Sequence, residues 1–132
     1  MPGRRPLVLC MDGELGSSSH QQLLKRHGYD VVTAATEREG FSVLRDNPVD
    51  AVILSLEVAG IAHRAAVRRM KEMKPHVPVL LVSRSASVLQ FPAADAVVQG
   101  DPPSRLPAAL AHLLNVRFPF FTRWFGNWRH RA

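Results

Sequence analysis

Asp12, Ser55, Ser83 and Gln99 each close an apolar run of the chain, and Met11 stands immediately before Asp12. If those runs are neighbouring strands of one sheet, the five residues gather at one edge of it. What such a set could do turns on Ser55. A serine hydroxyl becomes a nucleophile only with a base beside it, and no other member of the set is placed to be that base. Glu57 shares a face with Ser55 if the strand continues two residues further; a solvent-exposed loop glutamate is the preferred reading.

Other residues that could carry chemistry read more plainly. Ser17, Ser18 and Ser19 follow Gly16 but lack the glycine–lysine pattern of a phosphate-binding loop, so they read as helix-capping serines. His20, His27, His63, His76, His112 and His130 are scattered without the spacing of a compact metal site. Cys10 is the single cysteine and sits within an apolar run, as a reduced core residue would. Met70 and Met73 read as packing residues.

The elements that must position the set follow from the pattern. Leu7 to Met11 is continuously apolar between Pro6 and Asp12-Gly13, as a strand buried on both faces would be. Ser17 to His27 is a helix stopped by Gly28, and Tyr29 to Ala34 is a β-branched second strand. Thr36 caps a helix that runs to Asn47, with Phe41, Val43 and Leu44 inward and Pro48 ending it. Ala51 to Leu56 is the third strand. A basic helix from about Ala62 to Lys74 turns Ala66, Val67, Met70 and Met73 inward and leaves Arg64, Arg68, Arg69, Lys71 and Lys74 solvated. Pro78 to Ser83 is the fourth strand and Ala96 to Val98 a short fifth. Pro102 and Pro103 start a last helix through Leu106, Leu110, Leu113 and Leu114.

Strands alternating with helices predict an α/β domain whose parallel sheet is covered on both faces. Ligands of such sheets collect beyond the carboxyl ends of the strands, where the set lies. The 132 residues suit one core. A net charge of +6, from 17 Lys and Arg against 11 Asp and Glu, permits acidic partners without naming one. The apolar run before Asp12 is too short for the core of a signal peptide, and no run approaches the roughly 20 apolar residues that cross a bilayer. A cytoplasmic setting is expected.

The order of these segments resembles the receiver domain of bacterial response regulators, a flavodoxin-like three-layer sandwich with a five-stranded parallel sheet. Leu7 through Glu14 is similar to that family's first strand and acidic pair, Gly28 through Ala34 to its second strand, Asn47 through Leu54 to the approach to its phosphoacceptor, and Pro78 through Ser83 to its fourth strand. The resemblance spans residues 6 to 115. It implies an aspartate that takes a phosphoryl group from a histidine kinase, aided by Mg²⁺, a Ser or Thr hydroxyl and a lysine. Here the acidic pair falls on Met11 and Asp12, the acceptor on Ser55, the hydroxyl on Ser83, and the lysine on Gln99 or Gly100. Mg²⁺ needs one or two carboxylates beside phosphate oxygens and waters, so the resemblance implies a degraded magnesium site and no cofactor. The proline after the phosphorylation loop is Ala59, followed by Gly60. Only Arg84 to Ala94 stand between strands four and five, enough for a shortened fourth helix. Residues 1–115 are thus expected to form a receiver-like domain.

Residues 116–132 are expected to form a separate aromatic and basic tail. From Asn115 onward the chain holds both tryptophans, four of the six phenylalanines, four arginines and no acid. Three readings compete for it. Phe118, Phe120, Phe121 and Trp124 fold back over apolar surface; or Arg123, Phe125, Trp128 and Arg129 with them anchor the chain on a partner or an anionic membrane surface; or they hold single-stranded nucleic acid by charge and stacking. The expected role is a non-catalytic pseudo-receiver, a module that binds a protein partner in phosphorelay-related signalling. One alternative is an atypical regulator phosphorylated on Ser55 or another residue, and a second is a membrane- or nucleic-acid-associated protein that works through the tail.

Overall fold

A computed structural model describes residues 5–11, 17–55, 63–83, 94–99 and 105–117. Five strands form one sheet: β1 (Leu7–Met11), β2 (Asp30–Thr33), β3 (Ala51–Ser55), β4 (Val79–Ser83) and β5 (Ala96–Gln99). Their order is β2-β1-β3-β4-β5, and every neighbouring pair is parallel. The order reverses once, between β1 and β3.

Four described helices cover the sheet: α1 (Ser17–Arg26), α2 (Glu37–Asp46), α3 (His63–Met73) and α4 (Arg105–Arg117). Right-handed crossovers require the helix that steps leftward from β1 and those that step rightward to lie on opposite faces, and the packing agrees. Leu9, Met11, Val52, Leu54, Val79 and Leu81 pack with Leu44 of α2 and with Ala66, Val67 and Met70 of α3. The alternate strand residues Val8, Cys10, Ala51, Ile53, Leu80 and Val82 pack with Leu24 of α1 and with Leu106, Leu110, Leu113 and Leu114 of α4. Period-two alternation thus supplies two cores from one sheet.

Helix ends follow local chemistry. Thr36 accepts from the Glu39 N–H at 3.1 Å and Glu39 accepts from the Ala35 N–H at 2.7 Å, so the opening of α2 satisfies donors that a helix start leaves unpaired. Asn47 closes the same helix, its backbone N–H and side-chain amide both donating to the Val43 carbonyl at 3.0 Å. Gly28 takes a φ of 94° after α1, a conformation that needs glycine, while the Tyr29 N–H returns to the Leu24 carbonyl at 3.1 Å.

Two aspartates fasten the amino edge of the sheet in the same way. Asp50, just before β3, accepts the Leu7 N–H on its carboxylate and donates its own N–H to the Leu7 carbonyl, both at 2.7 Å. Asp95, just before β5, accepts the Val79 N–H at 2.7 Å and donates to the Val79 carbonyl at 2.9 Å. Lys71 bonds the same Asp95 carboxylate at 2.9 Å and the Val77 carbonyl at 3.1 Å. Its ammonium therefore ties α3 to the sheet, in place of the solvated position that helical periodicity suggests. The cause is Asp95, whose largely buried carboxylate needs a counter-charge.

Candidate functional site

The parallel registers bring the strand ends into a staircase at the carboxyl edge. Met11 is level with Leu54, and Leu54 with Leu81. Ser55 stands one rung further, beside Val82; Ser83 and Gln99 face each other on the rung after that. Neighbouring strands lie about 4.8 Å apart, so Met11, Ser55, Ser83 and Gln99 are brought together as the sequence implies. Asp12, the loop from 56 to 62, residues 84–93 and the aromatic tail from 118 lie outside the described residues, and so does the Gln99 side chain. Helix α4 continues to Arg117.

The two serines are buried, Ser55 with 7% of its surface exposed and Ser83 with 1%. Each has polar partners, as buried hydroxyls require. Ser55 is also held through its backbone. The first residue of α3, His63, donates from Nε2 to the Ser55 carbonyl at 3.1 Å, which sets the imidazole in its Nε2–H form, because a carbonyl only accepts. That bond pins the end of β3 to the start of α3.

Met11 takes a different course from the serines. It is fully buried and belongs to the core beneath α2 and α3. Its thioether lies against Gly40 in the middle of α2, where a Cβ would come within 2.5 Å of Sδ and 2.6 Å of Cε. A side chain at the last position of β1 therefore serves packing.

A five-stranded parallel sheet in the order 2-1-3-4-5, with helices on both faces and a row of residues at its carboxyl edge, now stands complete. The chain has the fold of a receiver domain. Its structure is similar to that of a CheY-like response regulator receiver domain protein from Methanospirillum hungatei, with a TM-score of 0.72 and 20% identity, covering 83% of this chain and 94% of that one. It is also similar to a chemotaxis response regulator of Vibrio cholerae, with a TM-score of 0.72 and 21% identity over 84% of this chain and all of that one. A third likeness is to a response regulator of Thermotoga maritima solved in complex with Mg²⁺ and BeF, with a TM-score of 0.67 and 23% identity over 80% of this chain and 98% of that one. By sequence, no family model and no curated protein matches the chain.

The described strand ends of this receiver fold present a buried thioether and two buried hydroxyls, while Asp12, the carboxylate of the row, lies outside the described residues. Among the described residues no three His, Cys, Asp or Glu side chains are grouped to hold a metal. Also among them, no helix is long and apolar enough to cross a membrane.

Several residues that shape this site carry weak sequence signals. His63 reads as one of six scattered histidines. Gly40 had a clearer sign, a lone glycine inside an otherwise regular helical pattern, which usually marks close packing. Asp50-Ala51-Val52 and Asp95-Ala96-Val97 repeat one tripeptide at the starts of β3 and β5, and that repetition marks the two strand clasps.

Proposed function

We propose that the chain is a pseudo-receiver, a receiver domain of two-component signalling that binds a protein partner without accepting a phosphoryl group. One observation carries this reading. The resemblance puts one acid of the metal-binding pair on Met11, and the Met11 side chain is built into the core against Gly40. A lost ligand that has become a packing residue is harder to reverse than one that merely faces solvent.

Ser55 supports the same reading, because a hydroxyl with 7% of its surface exposed stands where the resemblance puts the acceptor carboxylate. Asp12 and Ser83 then stand as remnants of a site. The protein acts by binding rather than by catalysis, needs no metal or cofactor, and works in the cytoplasm.

Titration of the ¹⁵N-labelled chain with Mg²⁺ and beryllofluoride, a mimic of the phosphoryl group, tests this. The amides of Met11, Ser55, Ser83 and Gln99 are expected to stay unshifted at millimolar Mg²⁺. Saturable shifts at those amides would overturn the proposal.

A further inference from the structure

We infer that the face formed by α1 and α4, extended by the aromatic segment at residues 118–130, docks on an anionic membrane surface. The two helices lie side by side over one core, in which Leu24 of α1 and Leu110, Leu113 and Leu114 of α4 are buried. Neither helix carries an Asp or a Glu. The opposite layer differs, since α2 holds Glu37, Glu39 and Asp46 and α3 holds Glu72. Lys25, Arg26, Arg105 and His112 are exposed on the acid-free side. Asp30, the first acid after α1, is paired with Arg5. A layer of one sign suits a uniformly negative partner, and it is this layer that runs on into the aromatic segment.

No acid follows Asp101 anywhere in the sequence. Phe118, Phe121, Phe125 and Trp128 recur at steps of three and four residues, the spacing of one helical face. Phe120 and Trp124 fall on the same side, so at 3.6 residues per turn all six rings share one arc of about 160°. Thr122, Arg123, Gly126, Asn127, Arg129 and His130 fall on the remainder. Pro119 stands where a first helical turn accepts proline, and Arg131 follows at the end, where a long side chain reaches headgroups. Aromatic residues on one face and cations on the other make an element that lies in the plane of a bilayer interface. Such a short helix is marginal in water, and Gly126 weakens it further, so the bilayer supplies the order.

The same pattern weighs against the other occupants. Single-stranded nucleic acid stacks its bases on rings set beside the cations that hold its phosphates, whereas helical spacing here parts the rings from Arg123 and Arg129. Folding back over the domain meets a problem of route. The segment leaves α4 on a face that α1 and α4 already cover, while the half-buried Ala94 and Val97 at the edge of the sheet pack on the opposite core.

This inference does not depend on whether the chain accepts a phosphoryl group. Trp124 and Trp128 are the two tryptophans of the chain, so tryptophan fluorescence of the full chain reports on the segment alone. Vesicles of phosphatidylcholine with phosphatidylserine should shift the emission to the blue and pellet the protein; phosphatidylcholine alone should bind at least about tenfold more weakly. The double variant Phe121→Ser, Phe125→Ser should lose vesicle binding with its melting temperature unchanged. Lys25→Glu with Arg26→Glu should weaken binding to the anionic vesicles by about tenfold or more. Emission that is already blue and unmoved by vesicles, or a lower melting temperature in the phenylalanine variant, would place the segment on the domain's own core and overturn the inference. Equal binding to neutral and anionic vesicles, undiminished binding by the Lys25 and Arg26 variant, or a larger shift with a single-stranded oligonucleotide would contradict it as well.

Discussion

Gly40 leaves open the space that the Met11 thioether fills; a Cβ at position 40 would stand 2.5 Å from Sδ. The pair links a glycine inside a helix, which costs that helix about 1 kcal/mol, to a methionine at the end of the interior strand β1. Each residue explains the other, and their coupling can be measured.

Gly40→Ala alone should destabilise the domain by roughly 1 kcal/mol, because overpacking of about 1–3 kcal/mol outweighs the gain in helix propensity. Met11→Ala alone should cost about 2–5 kcal/mol through the cavity it leaves. In the Met11→Ala background the sign of Gly40→Ala should reverse, since the clash is gone and the propensity gain remains. Urea denaturation of the four proteins in this cycle gives the coupling. Additive effects would show that Met11 does not pack as described.

Met11→Asp should not rebuild a metal site. The carboxylate would enter the apolar core beneath α2 and α3, and an unpaired buried charge of this kind destabilises by about 3 kcal/mol or more. Thermal melts with and without Mg²⁺ check this. A stable variant whose melting temperature rises with Mg²⁺ would mean that position 11 still faces a usable site.

Asp95→Ala should be more damaging than Asp50→Ala. Both remove an acceptor from the first N–H of a neighbouring strand, at about 1–2 kcal/mol. Asp95→Ala also leaves the partly buried Lys71 ammonium without its counter-charge. Chemical denaturation ranks the two, and hydrogen exchange should show the Val79 amide losing protection in the first and the Leu7 amide in the second. An equal loss would remove any role for Lys71.

His63→Ala should cost about 1 kcal/mol, the worth of one hydrogen bond to a part-buried carbonyl. In the unmodified chain, ¹⁵N spectra of the imidazole at neutral pH should show the proton on Nε2. A proton on Nδ1 would break the link between β3 and α3.

The fold was legible because its signals are redundant. Buried apolar runs, a capping threonine at Thr36, an asparagine at Asn47 and a stopping glycine at Gly28 each mark a boundary, and the flavodoxin-like arrangement of the five strands is what the receiver resemblance implies. The row of strand ends was legible for the same reason, since Met11, Ser55, Ser83 and Gln99 close those runs. The direction of the Met11 side chain was not. Whether a residue at the end of a strand points out to a ligand or down into the core depends on what the facing helix offers, and that depends on Gly40, distant in sequence. Lys71 shows the same limit. Helical periodicity puts it near the boundary of the exposed face, and only the tertiary placement of Asp95 draws it inward.

The central claim is that the phosphoryl switch of a receiver domain is lost from this chain. Intact-mass measurement after incubation with Mg²⁺ and a small-molecule phosphodonor tests it most directly. The account expects the mass of the unmodified chain throughout; a stoichiometric phosphoadduct that maps to Ser55 would contradict it.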